Sequence, residues 1–131
     1  MREHTPVCRP DAPVDMEKVV LGLAGLLKEK KASDILVLNL DGITSITDYF
    51  IIATVNSTIQ SKALIRFIED YTEEIQLKPL SKNESYDSPW VLLDYNYFIV
   101  HLFLKVGRAY YQLEKLWSDA QVLYSDEGGL L

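Results

Sequence analysis

The chain has 131 residues, 48% of them hydrophobic, and a formal net charge of −6 at pH 7. That length suits one domain rather than two, and that apolar content excludes wholesale disorder. An acidic balance argues against a phosphate-binding body, because nucleic-acid affinity rests on Lys and Arg neutralising phosphates.

The charge is unevenly placed. Residues 1–33 carry a net of +1 and residues 34–131 a net of −7. An acidic surface suits a basic protein partner, and it also simply keeps a small domain soluble. The single cysteine, Cys8, permits no internal disulfide and fits a reducing cytoplasm. The longest apolar run, "YFIVHLFL", falls well short of the ~18 residues of a membrane span. The opening "MREHTPVCRPDAP" lacks the apolar centre of a signal peptide.

Residues 1–14 hold Pro6, Pro10 and Pro13 and read as a flexible arm. Asp15 can cap a helix that starts at Met16, where apolar residues at 16, 19, 20, 23, 26 and 27 make one face. Lys28, Lys30 and Lys31 suit its C-terminal dipole. "DILVLNLD" (34–41) and "DYFIIATV" (48–55) are near-continuous apolar runs, the pattern of strands covered on both faces. "NSTIQSKALIRFIEDYTEEI" reads as a second helix capped by Asn56 or Ser57. "LKPLS" fits a short edge strand, since Pro79 cannot serve in the middle of a sheet. "NESYDSP" is a polar loop.

"WVLLDY" and "YFIVHLFLK" follow as a hairpin turning at 95/96, where Asn96 tolerates positive φ. In that register Asp94 faces Tyr97 and His101 faces Trp90, so Trp90, Leu92, Asp94 and His101 share one face. A helix from 108 to about 123 follows, with Tyr110, Leu113, Leu116, Trp117 and Ala120 on one side, and "SDEGGLL" is a tail. The expected architecture is an α/β (α+β) domain: a mixed sheet of about five strands with helices packed on it. The expected division is an arm at 1–14, one domain at 15–124 and a tail at 125–131.

Sites of chemistry are scarce. The chain holds neither G-x-G-x-x-G nor a P-loop, and one Cys with two His does not make a zinc set. His101 in an apolar strand reads as a satisfied core histidine, with catalysis as the alternative. Asp94 beside a turn reads as a turn acceptor. Trp90 is either core or a partner anchor. Arg108 and Glu114 are six apart and do not form an i,i+4 pair, so Glu114 reads as a solvated charge.

Residues 16–118 resemble the Iojap-like ribosomal silencing factor family (RsfS, also called YbeB). The resemblance rests on "WVLLDY", the strand ending in "VH", and "RAYYQLEKLW", supported by "DILVLNLDGITSITDYFIIAT" and "NSTIQSKA". The family pattern differs near Ile59, Ser85, Asn96 and Tyr97. The resemblance implies a nucleotidyltransferase-like fold used for binding. It implies a factor that binds the basic protein number fourteen of the large ribosomal subunit, blocks subunit joining and so represses translation, with a role in large-subunit biogenesis also in view.

An active nucleotidyltransferase needs two carboxylates alternating on a strand to hold Mg²⁺. Here Asp15 and Glu17 alternate only at a helix start, so the expectation is a non-enzyme with no cofactor or metal. The expected partner face is Trp90, Leu92, Asp94 and His101, with Tyr95 at the hairpin tip. The competing readings are a small nucleotidyltransferase or hydrolase using Asp94 and His101, and a homodimer burying the Trp90 face. Contact with rRNA is not expected to dominate.

Overall fold

The computed structural model of the chain describes residues 15–82 and 88–126. The expected arm at 1–14, most of the polar loop and the end of the tail lie outside these residues.

Helix α1 spans Met16–Glu29, and Asp15 caps it by accepting from Glu17 N–H at 3.1 Å. Its Met16, Val19, Val20, Leu23, Ala24 and Leu27 are buried against the sheet. Helix α2 spans Thr58–Glu74, and the Ser57 hydroxyl accepts from Gln60 N–H at 3.1 Å. The two helices cross closely because Gly22 leaves room for the Tyr71 hydroxyl.

Six strands form one mixed sheet: β1 (Ser33–Asn39), β2 (Tyr49–Val55), β3 (Ser81–Lys82), β4 (Trp90–Asp94), β5 (Phe98–Leu104) and β6 (Gln121–Ser125), in the order β3-β4-β5-β2-β1-β6. β2 and β5 are parallel and the remaining pairs antiparallel. Every residue of β2 is buried, and only Leu104 of β5 is not, as expected of strands covered on both faces. One face packs on α1 and α2 around Ile35, Val37, Ile51, Ala53, Val91, Leu93 and Val100. The other carries Leu38, Leu40, Phe50, Ile52, Ile99 and Phe103 under the C-terminal helical segment.

Two expectations are corrected. The helix expected at 108–123 starts earlier and breaks. Helix α3 spans Lys105–Tyr111, and Gln112 adopts φ 50° and ψ 45°, a left-handed conformation that ends it. One further turn, α4, covers Leu113–Leu116. The residues after it form β6, which pairs with β1, and the pairing continues as Asp126 N–H donates to Ile35 O at 3.1 Å.

The hairpin register is also shifted by two. Leu92 faces His101 and Trp90 faces Phe103 across a two-residue loop closed by Tyr95 N–H donating to Phe98 O at 2.9 Å. Asn96 takes φ 74°, the positive value expected of it. Because side chains alternate with period two, a shift of two leaves Trp90, Leu92, Asp94 and His101 on one face.

Candidate functional site: a half-covered aromatic sheet face

The chain leaves β5 at Leu104, crosses the second face of the sheet as α3 and α4, and returns at Gln121 to start β6. This cover is short and leaves the β4 side of the face partly open. Trp90, Leu92 and Asp94 are all half-buried there.

α3 is seated close to the start of β4. A Cβ on Gly107 would lie 2.5 Å from the Pro89 carbonyl oxygen, which itself accepts from Leu104 N–H at 2.9 Å. Arg108 fixes the helix from the other side. Its Nη1 donates to Asp34 O at 2.8 Å and to Thr54 Oγ1 at 2.9 Å, and its Nε donates to both Glu114 oxygens at 3.2 Å. Glu114 is therefore an ion-pair partner rather than a solvated charge. The break at Gln112 separates the two residues onto different helices, so helical spacing could not reveal the pair.

Trp90 is the hub of the open side. Its indole stacks on Phe103 with centroids 5.2 Å apart and leans on Tyr111 at 4.7 Å. Tyr111 continues to Tyr110 at 5.0 Å, and Tyr110 is 79% exposed. Aromatic surface thus runs from the sheet to the outside of α3. Trp117 closes the far side by packing edge-on against Phe50 at 5.6 Å. Tyr110, Tyr111 and Trp117 join this surface beyond the residues expected at it, and the doubled tyrosine is the sequence signal for the first two.

The expected site residues separate into three groups. Trp90, Leu92 and Asp94 border the open surface. Asp94 also serves the turn, since its Oδ1 accepts from Asn96 N–H at 2.8 Å. His101 lies on the same face but is only 3% exposed, and its Nδ1 accepts from Trp90 Nε1 at 3.0 Å. Burial lowers its pKa from 6.5 to about 3, so the imidazole is neutral.

Tyr95, expected at an exposed hairpin tip, is 2% exposed and points the other way. It shares the α-helical side of the sheet with Val91 and Leu93. There it stacks on Phe98 and hydrogen-bonds Thr72 Oγ1 at 3.0 Å. The shifted turn draws it into the last paired position, and alternation then puts its ring in the core.

Among the described residues, no group of three or more His, Cys, Asp or Glu could hold a metal ion, and no helix is long and apolar enough to cross a membrane. Asp94 and His101 each engage a separate partner, one a turn amide and one an indole. The site is thus a half-open aromatic face on a mixed α+β sheet.

Comparison with known proteins places it more closely. Residues 13–129 match the family described as ribosomal silencing factor during starvation. The chain is 42% identical over 116 residues to the ribosomal silencing factor RsfS of Bacillus subtilis, covering 86% of this chain and 96% of that one. It is 31% identical over 99 residues to the mitochondrial assembly of ribosomal large subunit protein 1 of Mus musculus, covering 73% of this chain and 43% of that one. A crystal structure of a Chromobacterium violaceum protein superposes with a TM-score of 0.70 at 30% identity, covering 86% of this chain and 94% of that chain. The chain belongs to the ribosomal silencing factor family.

Proposed function

We propose that this protein binds the large ribosomal subunit, docks on its basic protein number fourteen, and blocks joining of the small subunit, so repressing translation in the cytoplasm. The names of its relatives support a ribosome-associated role, one of them naming large-subunit assembly. The observation that carries the docking surface is the half-covered face of Trp90, Leu92 and Asp94. Trp90 and Leu92 form the apolar anchor, and Asp94 meets a cation of the partner. The net charge of −6 steers the approach to a basic protein. The protein acts by occupying a surface and not by turnover.

The test is co-sedimentation with isolated large and small subunits, alone and mixed. Wild-type protein pellets with the large subunit and lowers the yield of joined ribosomes. Trp90→Ala weakens that binding by ~2 kcal/mol or more, the usual cost of truncating a buried Trp anchor. Intact binding by a folded Trp90→Ala protein refutes the face. A homodimer burying the same face would compete with the ribosome for it. Light scattering over a concentration series tests for that dimer.

A further inference from the structure

We infer that His101 is a positioning residue: its imidazole holds the Trp90 indole in one orientation, so that the anchor of the docking face is set before the partner arrives. This rests on the docking reading above.

His101 itself is out of reach of a partner, being 3% exposed beneath the face. Its ring is wedged edge-on against Phe50 at 4.5 Å and lies 6.4 Å from Phe103. A hydrocarbon ring would fill that space equally well. What the histidine adds is a lone pair on Nδ1, which receives the Trp90 indole N–H at 3.0 Å.

The cost of that choice is visible. With Nδ1 accepting, the ring proton of the neutral imidazole sits on Nε2. Nε2 is buried and has no hydrogen-bond partner among the described residues. A buried donor left unpaired is destabilising, so a histidine here costs more than a phenylalanine would. The structure retains it where its ring Nδ1 receives the N–H of the half-exposed tryptophan.

The indole needs such a restraint. Trp90 starts an outer segment of the sheet, where, among the described residues, β4 pairs on its far side with β3 at Leu93 and Asp94. Its backbone is held by Ser88, whose hydroxyl accepts from Trp90 N–H at 3.1 Å and donates to Trp90 O at 2.9 Å. Stacking on Phe103 constrains the ring plane but does not choose which edge faces water. The hydrogen bond to His101 chooses, turning the N–H edge inward. The apolar edge is left to meet a partner, and the rotamer cost of binding is met in advance.

Three proteins test this: His101→Phe, His101→Asn, and the wild-type sequence carrying 3-benzothienylalanine at position 90, which keeps the shape and lacks the N–H. The readouts are the Trp90 indole ¹H–¹⁵N resonance with its solvent-exchange rate, and affinity for purified large subunits. Trp90→Ala is run alongside. In wild type the indole proton is protected from exchange. In His101→Phe that protection is lost and affinity falls about twofold to tenfold, the range expected for one hydrogen bond. His101→Asn, whose Oδ1 stands where Nδ1 stood, restores both. The benzothienyl protein loses affinity like His101→Phe.

If His101→Phe and the benzothienyl protein bind as wild type while Trp90→Ala binds weakly, the inference is overturned and the docking face stands. If Trp90→Ala also binds as wild type, the docking face itself has failed and the inference with it. If His101→Phe does not fold, the benzothienyl protein alone decides.

Discussion

Replacing Arg108 with methionine tests the account of how the C-terminal segment is held. The guanidinium side chain is 9% exposed and joins three elements: Asp34 O and Thr54 Oγ1 on β1 and β2, and Glu114 on α4. Asp34 sits at a bulge with φ 50°, and its carbonyl is one of the acceptors that Arg108 satisfies. Methionine fills much of the same volume but donates to nothing. Leaving two acceptors in or near the core without that donor costs about 1–3 kcal/mol in all, because the Thr54 hydroxyl can rotate and water can reach Asp34. The ion pair adds less. The Glu114 side chain is 32% exposed, so its carboxylate is rehydrated when the arginine is lost, and the pair is worth at most about 1 kcal/mol.

The expected total is about 3 kcal/mol, the low end of what breaking a buried charge pair costs. Glu114→Gln should cost about 1 kcal/mol or less. Urea denaturation followed by circular dichroism measures both, with an unchanged slope as the check on two-state behaviour. The reasoning is refuted if Arg108→Met lies within 1 kcal/mol of wild type, or if Glu114→Gln is the costlier change.

Acid should destabilise the domain through His101. Its folded pKa of about 3 lies below the ordinary 6.5, so the unfolded chain takes up a proton that the folded one refuses. This contribution is complete above about pH 6.5 and is lost as pH falls toward 3, by about 2 kcal/mol between pH 6.5 and 5. Urea midpoints across that range should therefore fall more steeply for wild type than for His101→Phe, and parallel curves would contradict the assignment. At the hairpin, Asn96→Gly should be tolerated and Asn96→Val should cost about 1–2 kcal/mol, because φ is 74° and a β-branched side chain is crowded there; thermal melts of the pair decide. Asp94→Asn keeps an acceptor for the Asn96 amide but loses the charge. It should slow association with the large subunit and flatten its salt dependence, as stopped-flow traces at two ionic strengths would record. An unchanged salt dependence would mean the carboxylate meets no cation.

The helical caps were legible in the sequence because they are local. Asp15 and Ser57 each precede a run of apolar residues at helical spacing, and each caps the helix it introduces. The strands β1, β2 and β5 were legible because only burial on both faces tolerates such continuous apolar runs. The C-terminal segment was not legible. Leu113, Leu116, Trp117 and Ala120 fall at helical period, and nothing in the propensity of Gln112 marks a left-handed break. Val122 and Tyr124 belong to β6 only because β1 offers an unpaired edge, which is a tertiary fact. At the site, period two was enough to group Trp90, Leu92, Asp94 and His101. It could not say how deeply each lies, because depth depends on where α3 and α4 rest.

Depth is what separates the roles of these polar residues. His101 and Arg108 are the chemically versatile groups in the stretch from 89 to 117, and both are spent inside the fold, one on an indole and the other on two strands and a helix. Asp94 is committed to a turn through Oδ1 and is half-buried at the border of the open face. A hydrolytic or nucleotidyl-transfer site would need its carboxylate and its imidazole free to act on one substrate atom, and here each has a structural task. On the docking reading proposed above, the same tasks serve recognition: Arg108 holds the cover in place, His101 would direct the tryptophan, and the surface formed by Trp90, Leu92 and Asp94 would be read by shape and by the Asp94 charge.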